Sequence, residues 1–290
     1  MDNINTVFLN NEFLKPEQAK VSAFDRGFVF GDGVYEVIPV FGKRPFRLGQ
    51  HMQRLNNSLS HLGIPNPMPA EKWQEVIQQL INSNGAEDQS IYFQITRGPA
   101  ARDHCFPENM TPTVFGYSQT LKYPDQKTLE QGVSAITAPD IRWLRCDIKA
   151  IALLANVLMR QQAKEKGVTE AILLRDGRVT EGAASNIFIV SNNTLMTPPK
   201  GDQILPGITR DLVIELAHAN NIPCQETEIT EKQLFSADEV WMTSSTKEIL
   251  PITKIDNKPV GNGKPGPIHK TVFEIYKKYK QDFRSGVVSD

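Results

Sequence analysis

AILLRDGRVTEGAASNIFIVSNNTLMT, residues 171–197, reads as short strands joined by tight turns. Ala171-Ile172-Leu173-Leu174 and Arg178-Val179-Thr180 flank Asp176-Gly177, a pair that tolerates positive φ and so favours a two-residue hairpin. Residues 186–190 and 194–197 repeat the arrangement around Asn192-Asn193. Strands grouped into hairpins, rather than alternating one by one with helices, point to an α+β fold and away from a doubly wound parallel sheet.

The rest of the chain agrees. Near the start, residues 6–9 and 12–14 flank Asn10-Asn11 as another hairpin, and GVYEVIPV (33–40) is a β-branched strand. Leu48, Met52, Leu55, Leu59 and Leu62 recur at three- and four-residue spacing and predict a helix over 47–62, with a second over 69–84. Residues 91–96 and 112–117 read as strands, completing a small N-terminal domain, 1–118. QTLKYPDQK (119–127) is polar with a central proline and reads as the interdomain linker. A larger C-terminal domain, 128–290, follows: a strand over 133–138, helices over 151–166 and 208–219, a strand over 240–243 and a closing helix over 270–283. Gly261-Asn262-Gly263-Lys264-Pro265-Gly266 matches a dinucleotide fingerprint by letter alone. Its upstream stretch is a polar turn rather than a strand, so it reads as a surface loop.

Composition narrows the function. Lys plus Arg number 32 and Asp plus Glu 33 in 290 residues, a balance unlike that of nucleic-acid binders or polybasic membrane proteins. The greasiest run, 150–159, is interrupted by Asn156 and is too short for a membrane span, which takes roughly 20 apolar residues. The opening residues show no basic stretch before an apolar core, so no secretory leader is expected. Cys105, Cys146 and Cys224 form no CxxC pair and suit a reducing cytoplasm. The five histidines show no metal-ligand spacing, and no metal is expected.

Four separated segments carry groups that one cofactor, pyridoxal 5'-phosphate (PLP), would need. Lys149 stands among apolar neighbours before a helix, where desolvation favours a neutral, nucleophilic amine; it also fits a lysine snorkelling at a helix start. Glu181, followed by small residues between two strands, suits a carboxylate set against a pyridine nitrogen, or an exposed strand end. Ile208 and Thr209 begin a helix, whose free amides and dipole favour phosphate. Ser244 and Ser245 follow a strand and offer hydroxyls and amides to the same anion, and Arg54 offers a bidentate counter-charge.

These segments, in this order, resemble the class IV aminotransferases, the fold type IV family of PLP enzymes, over essentially the whole chain. Among them FGDGVYEV (30–37), YFQITRG (92–98), RDHCFPEN (102–109), DIRWLRCDIK (140–149) and TEGAASNIF (180–188) are most similar to bacterial D-amino-acid aminotransferases. The resemblance implies two α+β domains with the cofactor in the interdomain cleft. It makes Lys149 the Schiff-base lysine, Glu181 the carboxylate on the pyridine nitrogen, and Leu205 the residue behind the cofactor ring. Arg54, Ile208, Thr209 and Ser245 would form the phosphate cup, with Ser244 beside them. Tyr35, Arg102 and His104 would trap the substrate carboxylate, the trap being completed across a homodimer interface. Arg102 and His104 are two apart, so an extended segment would present them on one side.

Two departures stand out: Ser245 replaces the usual Thr, and Ala183 and Ala184 replace serines. The implied reaction is transamination between D-amino acids such as D-alanine or D-glutamate and 2-oxo acids such as 2-oxoglutarate or pyruvate. A branched-chain L-aminotransferase, an aminodeoxychorismate lyase and a non-catalytic PLP carrier are the rivals. The Arg102-x-His104 pair speaks against the first.

Overall fold

Asn10 and Asn11, both at positive φ, turn β1 (Val7–Leu9) back into β2 (Glu12–Leu14) in the computed structural model, which describes residues 4–289. Met1 to Asn3, which open the segment read for a leader, lie outside the described residues. The chain divides into two units: Met1–Lys122 with Ile148–Ala152 and Asp282–Asp290, and Tyr123–Asp147 with Leu153–Gln281.

In the first unit a five-residue helix, α1 (Arg26–Phe30), is capped by the Asp25 carboxylate and closed by Gly31 in the left-handed region. It leads into β3 (Gly33–Phe41), then β4 (Arg44–Pro45), α2 (Leu48–His61), α3 (Ala70–Asn84), β5 (Gln89–Thr96) and β6 (Thr113–Thr120). The six strands form an antiparallel sheet in the order β2-β1-β6-β5-β3-β4. Alternation decides which face is buried. Val34, Ile38 and Val40 of β3 join Leu55 and Leu59 of α2 and Trp73, Ile77 and Leu80 of α3 in one core. The other face carries Tyr35, Val37, Tyr92, Gln94 and Tyr117, all half-buried.

The second unit adds α4 (Gln126–Gln131), β7 (Val133–Pro139), α5 (Leu154–Glu165), β8 (Glu170–Arg175), β9 (Arg178–Gly182), β10 (Asn186–Ser191) and β11 (Thr194–Thr197). It continues through α6 (Ile208–Ala219), β12 (Cys224–Glu226), β13 (Ile229–Thr230), α7 (Glu231–Phe235), β14 (Glu239–Ser244), β15 (Glu248–Ile255), β16 (Lys258–Pro259) and α8 (Pro267–Arg284). Its ten-stranded sheet runs β12-β11-β10-β14-β15-β7-β8-β9-β13, with β16 beside β15. The sheet is mixed. β7 lies parallel to β8 and to β15, and β11 parallel to β12. The architecture is α+β.

Two local expectations change. The helix expected from residue 151 begins at Leu154, because Ala150 bridges Val34 and the Ile151 amide donates to the Gly33 carbonyl. In the segment 119–127, Gln119 and Thr120 pair with Ser90 and Gln89 in the sheet, and Gln126 and Lys127 open α4. Gly261 to Gly266 runs as turns and bends before α8. Among the described residues no helix is long and apolar enough to cross a membrane, and no cluster of His, Cys, Asp and Glu could hold a metal ion.

Candidate active site

Lys149, expected in the C-terminal domain, belongs instead to the first unit, on a stretch that extends the edge of β3 beyond β4 and pairs with its backbone. Its carbonyl accepts from the Tyr35 amide at 2.9 Å, and its own amide donates to Ser58 Oγ at 3.2 Å. With the backbone fixed on both sides, the half-buried side chain lies with Nζ 4.1 Å from the centroid of the Tyr35 ring. No carboxylate pairs with that ammonium among the described residues. Gly33 permits this close docking, since a Cβ there would meet the Ile95 carbonyl and crowd Ile151.

Arg102 and His104 lie elsewhere in the same unit, on the loop between β5 and β6. The segment is not extended: the Asp103 amide folds back to the Ala101 carbonyl at 2.9 Å, and the Cys105 amide donates to Asp103 Oδ1 at 2.9 Å. Both side chains nevertheless reach one ring. Arg102 Cζ and the His104 ring each lie 5.4 Å from the centroid of Phe30, and both residues are exposed. Among the described residues neither forms a hydrogen bond or ring contact with Tyr35 or Lys149.

Arg54 is already engaged. Its Nε and Nη2 donate to the two oxygens of Glu36 at 2.7 and 2.8 Å, and His51 Nδ1 lies 2.8 Å from Glu36 Oε2. Burial alone would raise the Glu36 carboxyl, but Arg54 and His51 hold it well below the usual carboxylate range. Burial lowers His51 against the pull of Glu36. Sequence reading missed Glu36 and His51. Their available signal was a polar residue in register with core positions, Val34 and Ile38 along the strand for Glu36 and Leu55 along the helix for His51.

Glu181 lies in the second unit, buried on β9. Oε1 accepts from Arg142 Nη1, while Oε2 accepts from Asn186 Nδ2 at 3.0 Å and from the Leu205 amide at 3.1 Å. Burial pushes the Glu181 carboxyl up to about 7, against the pull of Arg142. Arg142 is itself held by Asp140, through Nε at 2.9 Å and Nη2 at 2.8 Å. Neither Arg142 nor Asp140 was singled out from the sequence, because nothing in their spacing distinguishes a guanidinium that orients a carboxylate from a solvated one.

Asn186 connects the remaining groups of this unit. Its amide nitrogen also donates to the Leu205 carbonyl at 2.9 Å, and its backbone pairs with Thr243 of β14. Its Oδ1 takes the space that a Cβ on Gly207 would fill. Gly207 is the N-cap of α6 and supplies no side chain, so the amides of Ile208 and Thr209 have no side-chain cap. At the end of β14, Ser244 Oγ accepts from the Lys247 amide at 3.2 Å, with Ser245 in the turn it closes. Thr243 Oγ1 is buried without a hydrogen-bond partner.

The family model for class IV amino-transferases matches residues 33–255. D-alanine aminotransferases from Bacillus licheniformis and Staphylococcus epidermidis are each 41% identical to this chain. The first match covers 92% of this chain and 94% of the relative, the second 95% and 98%. A branched-chain amino acid aminotransferase from Escherichia coli superposes with a TM-score of 0.90 at 29% identity, over 95% of this chain and 94% of that one. The corresponding enzyme from Thermobaculum terrenum, solved in its PLP form, gives 0.85 at 26% identity, over 98% and 97%. The chain belongs to the class IV aminotransferase family. It is an aminotransferase, and the cofactor of this family is PLP. The residues of the second unit fit that group: a buried carboxyl with a raised proton affinity suits a ring nitrogen, and an uncapped helix start with an orphaned hydroxyl suits a phosphate.

Proposed function

We propose that this chain transfers amino groups between D-amino acids, D-alanine and D-glutamate among them, and 2-oxo acids such as 2-oxoglutarate or pyruvate, as a cytoplasmic homodimer. The observation that carries the reading is the pair Arg102 and His104. They stand exposed on one ring, and no ion pair engages the Arg102 guanidinium among the described residues. A forked guanidinium beside an imidazole is an anchor for a substrate carboxylate, and Tyr35 supplies a hydroxyl to the same trap. The similarity to D-alanine aminotransferases supports the same reading.

Bound PLP supplies an electron-poor ring that stabilises charge left on the substrate Cα. Lys149, held by Ser58 and Tyr35, presents Nζ to hold the cofactor and then to move the proton at Cα. Glu181 holds a proton against the ring nitrogen, oriented by Arg142 and Asn186. Leu205, its backbone tied to Glu181 and Asn186, would pack behind the ring. Ile208, Thr209, Ser244 and Ser245 bind the phosphate through amides and hydroxyls. Arg54 adds positive charge, its direction set by Glu36.

Two features support a second copy. The anchor residues and Lys149 share no contact within the described residues of one chain. Apolar side chains also stand in the open on each unit, Phe24 (68% exposed) and Phe28 (79%) on the first and Leu154 (72%), Val157 and Leu158 on one face of α5. The solved branched-chain enzymes keep that activity as the second reading. Chiral analysis of products from mixed D- and L-amino acids with 2-oxoglutarate decides between them. Consumption of D-alanine is expected, whereas preferential consumption of L-leucine or L-valine would transfer the assignment to the branched-chain reading. Pyruvate released without any amino acceptor would indicate a lyase.

A further inference from the structure

We propose that Arg26 is the positioning residue of the substrate-carboxylate anchor, its buried guanidinium fixing the backbone of the loop that carries Arg102 and His104. The proposal rests on the reading of those two residues as the anchor.

The loop between β5 and β6 has no strand partner for its tip, and within the turn at 101–105 the Asp103 amide and the Cys105 amide bond only to groups two residues away. Its base is fixed. Gly98 sits at φ +90°, a Cβ there would collide with the Thr111 carbonyl, and its own carbonyl accepts from the Arg26 amide at 3.0 Å. The tip is held by one side chain. Arg26 Nη1 donates to the carbonyls of Asp103 at 2.5 Å and Cys105 at 3.3 Å, and Nη2 to that of His104 at 3.5 Å.

Three consecutive carbonyls in the stretch that follows Arg102 therefore converge on a guanidinium that is 4% exposed. Its remaining donor, Nε, goes to Asp32 Oδ2 at 2.8 Å, which sets the plane of the fork. Asp32 is shared with Arg97, whose guanidinium stacks 3.6 Å over Phe106 and secures the far side of the same loop. Phe30, one helical turn after Arg26, supports the Arg102 and His104 side chains. A lysine could replace the charge of Arg26 but not its planar set of donors.

Arg26→Lys tests this. The expected enzyme keeps the cofactor absorbance and a kcat within about twofold of wild type, while KM for D-alanine rises about tenfold, the effect of one weakened charged hydrogen bond. Amides of 99–111 should exchange faster with deuterium. In an Arg102→Ala background, Arg26→Lys should raise KM less than it does alone, because part of its effect passes through Arg102. Should Arg26→Lys fail to fold, Asp32→Asn, which keeps shape and weakens the bridge, is read in the same way. Unchanged KM and loop exchange, or a full independent effect on top of Arg102→Ala, would overturn the proposal. Wild-type KM in Arg102→Ala alone would overturn the anchor reading and the proposal with it. A raised KM in Arg102→Ala beside an unaltered Arg26→Lys enzyme would remove this proposal only.

Discussion

Lys149 carries a half-buried amine with no acidic partner among the described residues, beside a tyrosine ring and on a backbone hydrogen-bonded at both its amide and its carbonyl. Such a side chain is oriented without being consumed by a structural ion pair. Lys149→Ala should therefore leave the fold intact and cut turnover by several orders of magnitude, while borohydride should no longer fix the cofactor to the chain. Mass spectrometry of the reduced protein checks this, and near-normal turnover would contradict it. Glu181 differs, because burial lifts its proton affinity rather than leaving it ordinary. With the folded value near 7 and the ordinary one at 4.5, the native chain binds more protons than the unfolded one between those values. Stability of the cofactor-free protein due to Glu181 must then fall as pH rises from 4.5 to 7. Glu181→Gln removes that dependence, so its melting temperature relative to wild type should climb across this window and level off above it. The same substitution should lower kcat more than it raises KM, since the lost group acts on the reacting state. A rise in KM with kcat intact would refute the role.

At the scale of elements, the start of α6 rests on a contact between glycine and asparagine. Gly207 has an ordinary φ of −72°, so its identity is required by space and not by dihedral freedom. Gly207→Ala would push the Asn186 amide away from Glu181 and Leu205. We expect a cost of about 1–3 kcal/mol and weaker PLP binding, measured by melting and by cofactor titration; unchanged affinity would show that Asn186 does not order this region. The legibility of the sequence varies on this scale for physical reasons. Hairpins at Asn10-Asn11, Asp176-Gly177 and Asn192-Asn193 were readable because positive φ selects those residues, and each does contain positive φ. α6 was readable to its ends from its apolar periodicity. β15 was not, since Pro251 interrupts a strand that lies between two others, a position where a missing amide is ordinarily costly; the register to β7 shifts just beyond, between Ile252 and Lys254. The start of α5 was misplaced because Ala150 and Ile151 are helix-compatible locally but are recruited by β3, a tertiary bond that no window of sequence contains. Lys149 and Glu181 could be singled out as candidates because the chemistry proposed for them restricts the residue type. The residues that aim them, Arg142, Asn186, Glu36 and Arg26, were not, since each is defined only by its partner.

At the scale of the whole molecule, the division of labour between Lys149 and the Arg102–His104 loop leads to a test of assembly. Arg102 and His104 rest on Phe30 of their own chain, whereas Lys149 rests on Tyr35, and no contact joins the two groups among the described residues. If the anchor of one chain serves the lysine of another, a homodimer has two sites, each needing Lys149 from one copy and Arg102 from the other. Lys149→Ala alone inactivates both sites, and Arg102→Ala alone weakens both through loss of a charged partner. A mixed dimer is different. One of its sites combines both defects, but the other pairs the intact lysine of the Arg102→Ala chain with the intact anchor of the Lys149→Ala chain. Random assembly makes half the dimers mixed, and half the sites in those are whole, so co-expression of the two variants should recover about a quarter of wild-type kcat/KM for D-alanine. Sizing by light scattering should show a dimer for wild type, each variant and the mixture. Activity equal to the mere average of the two separate variants would mean that each chain completes its own site, and a fully active monomer would refute the shared trap.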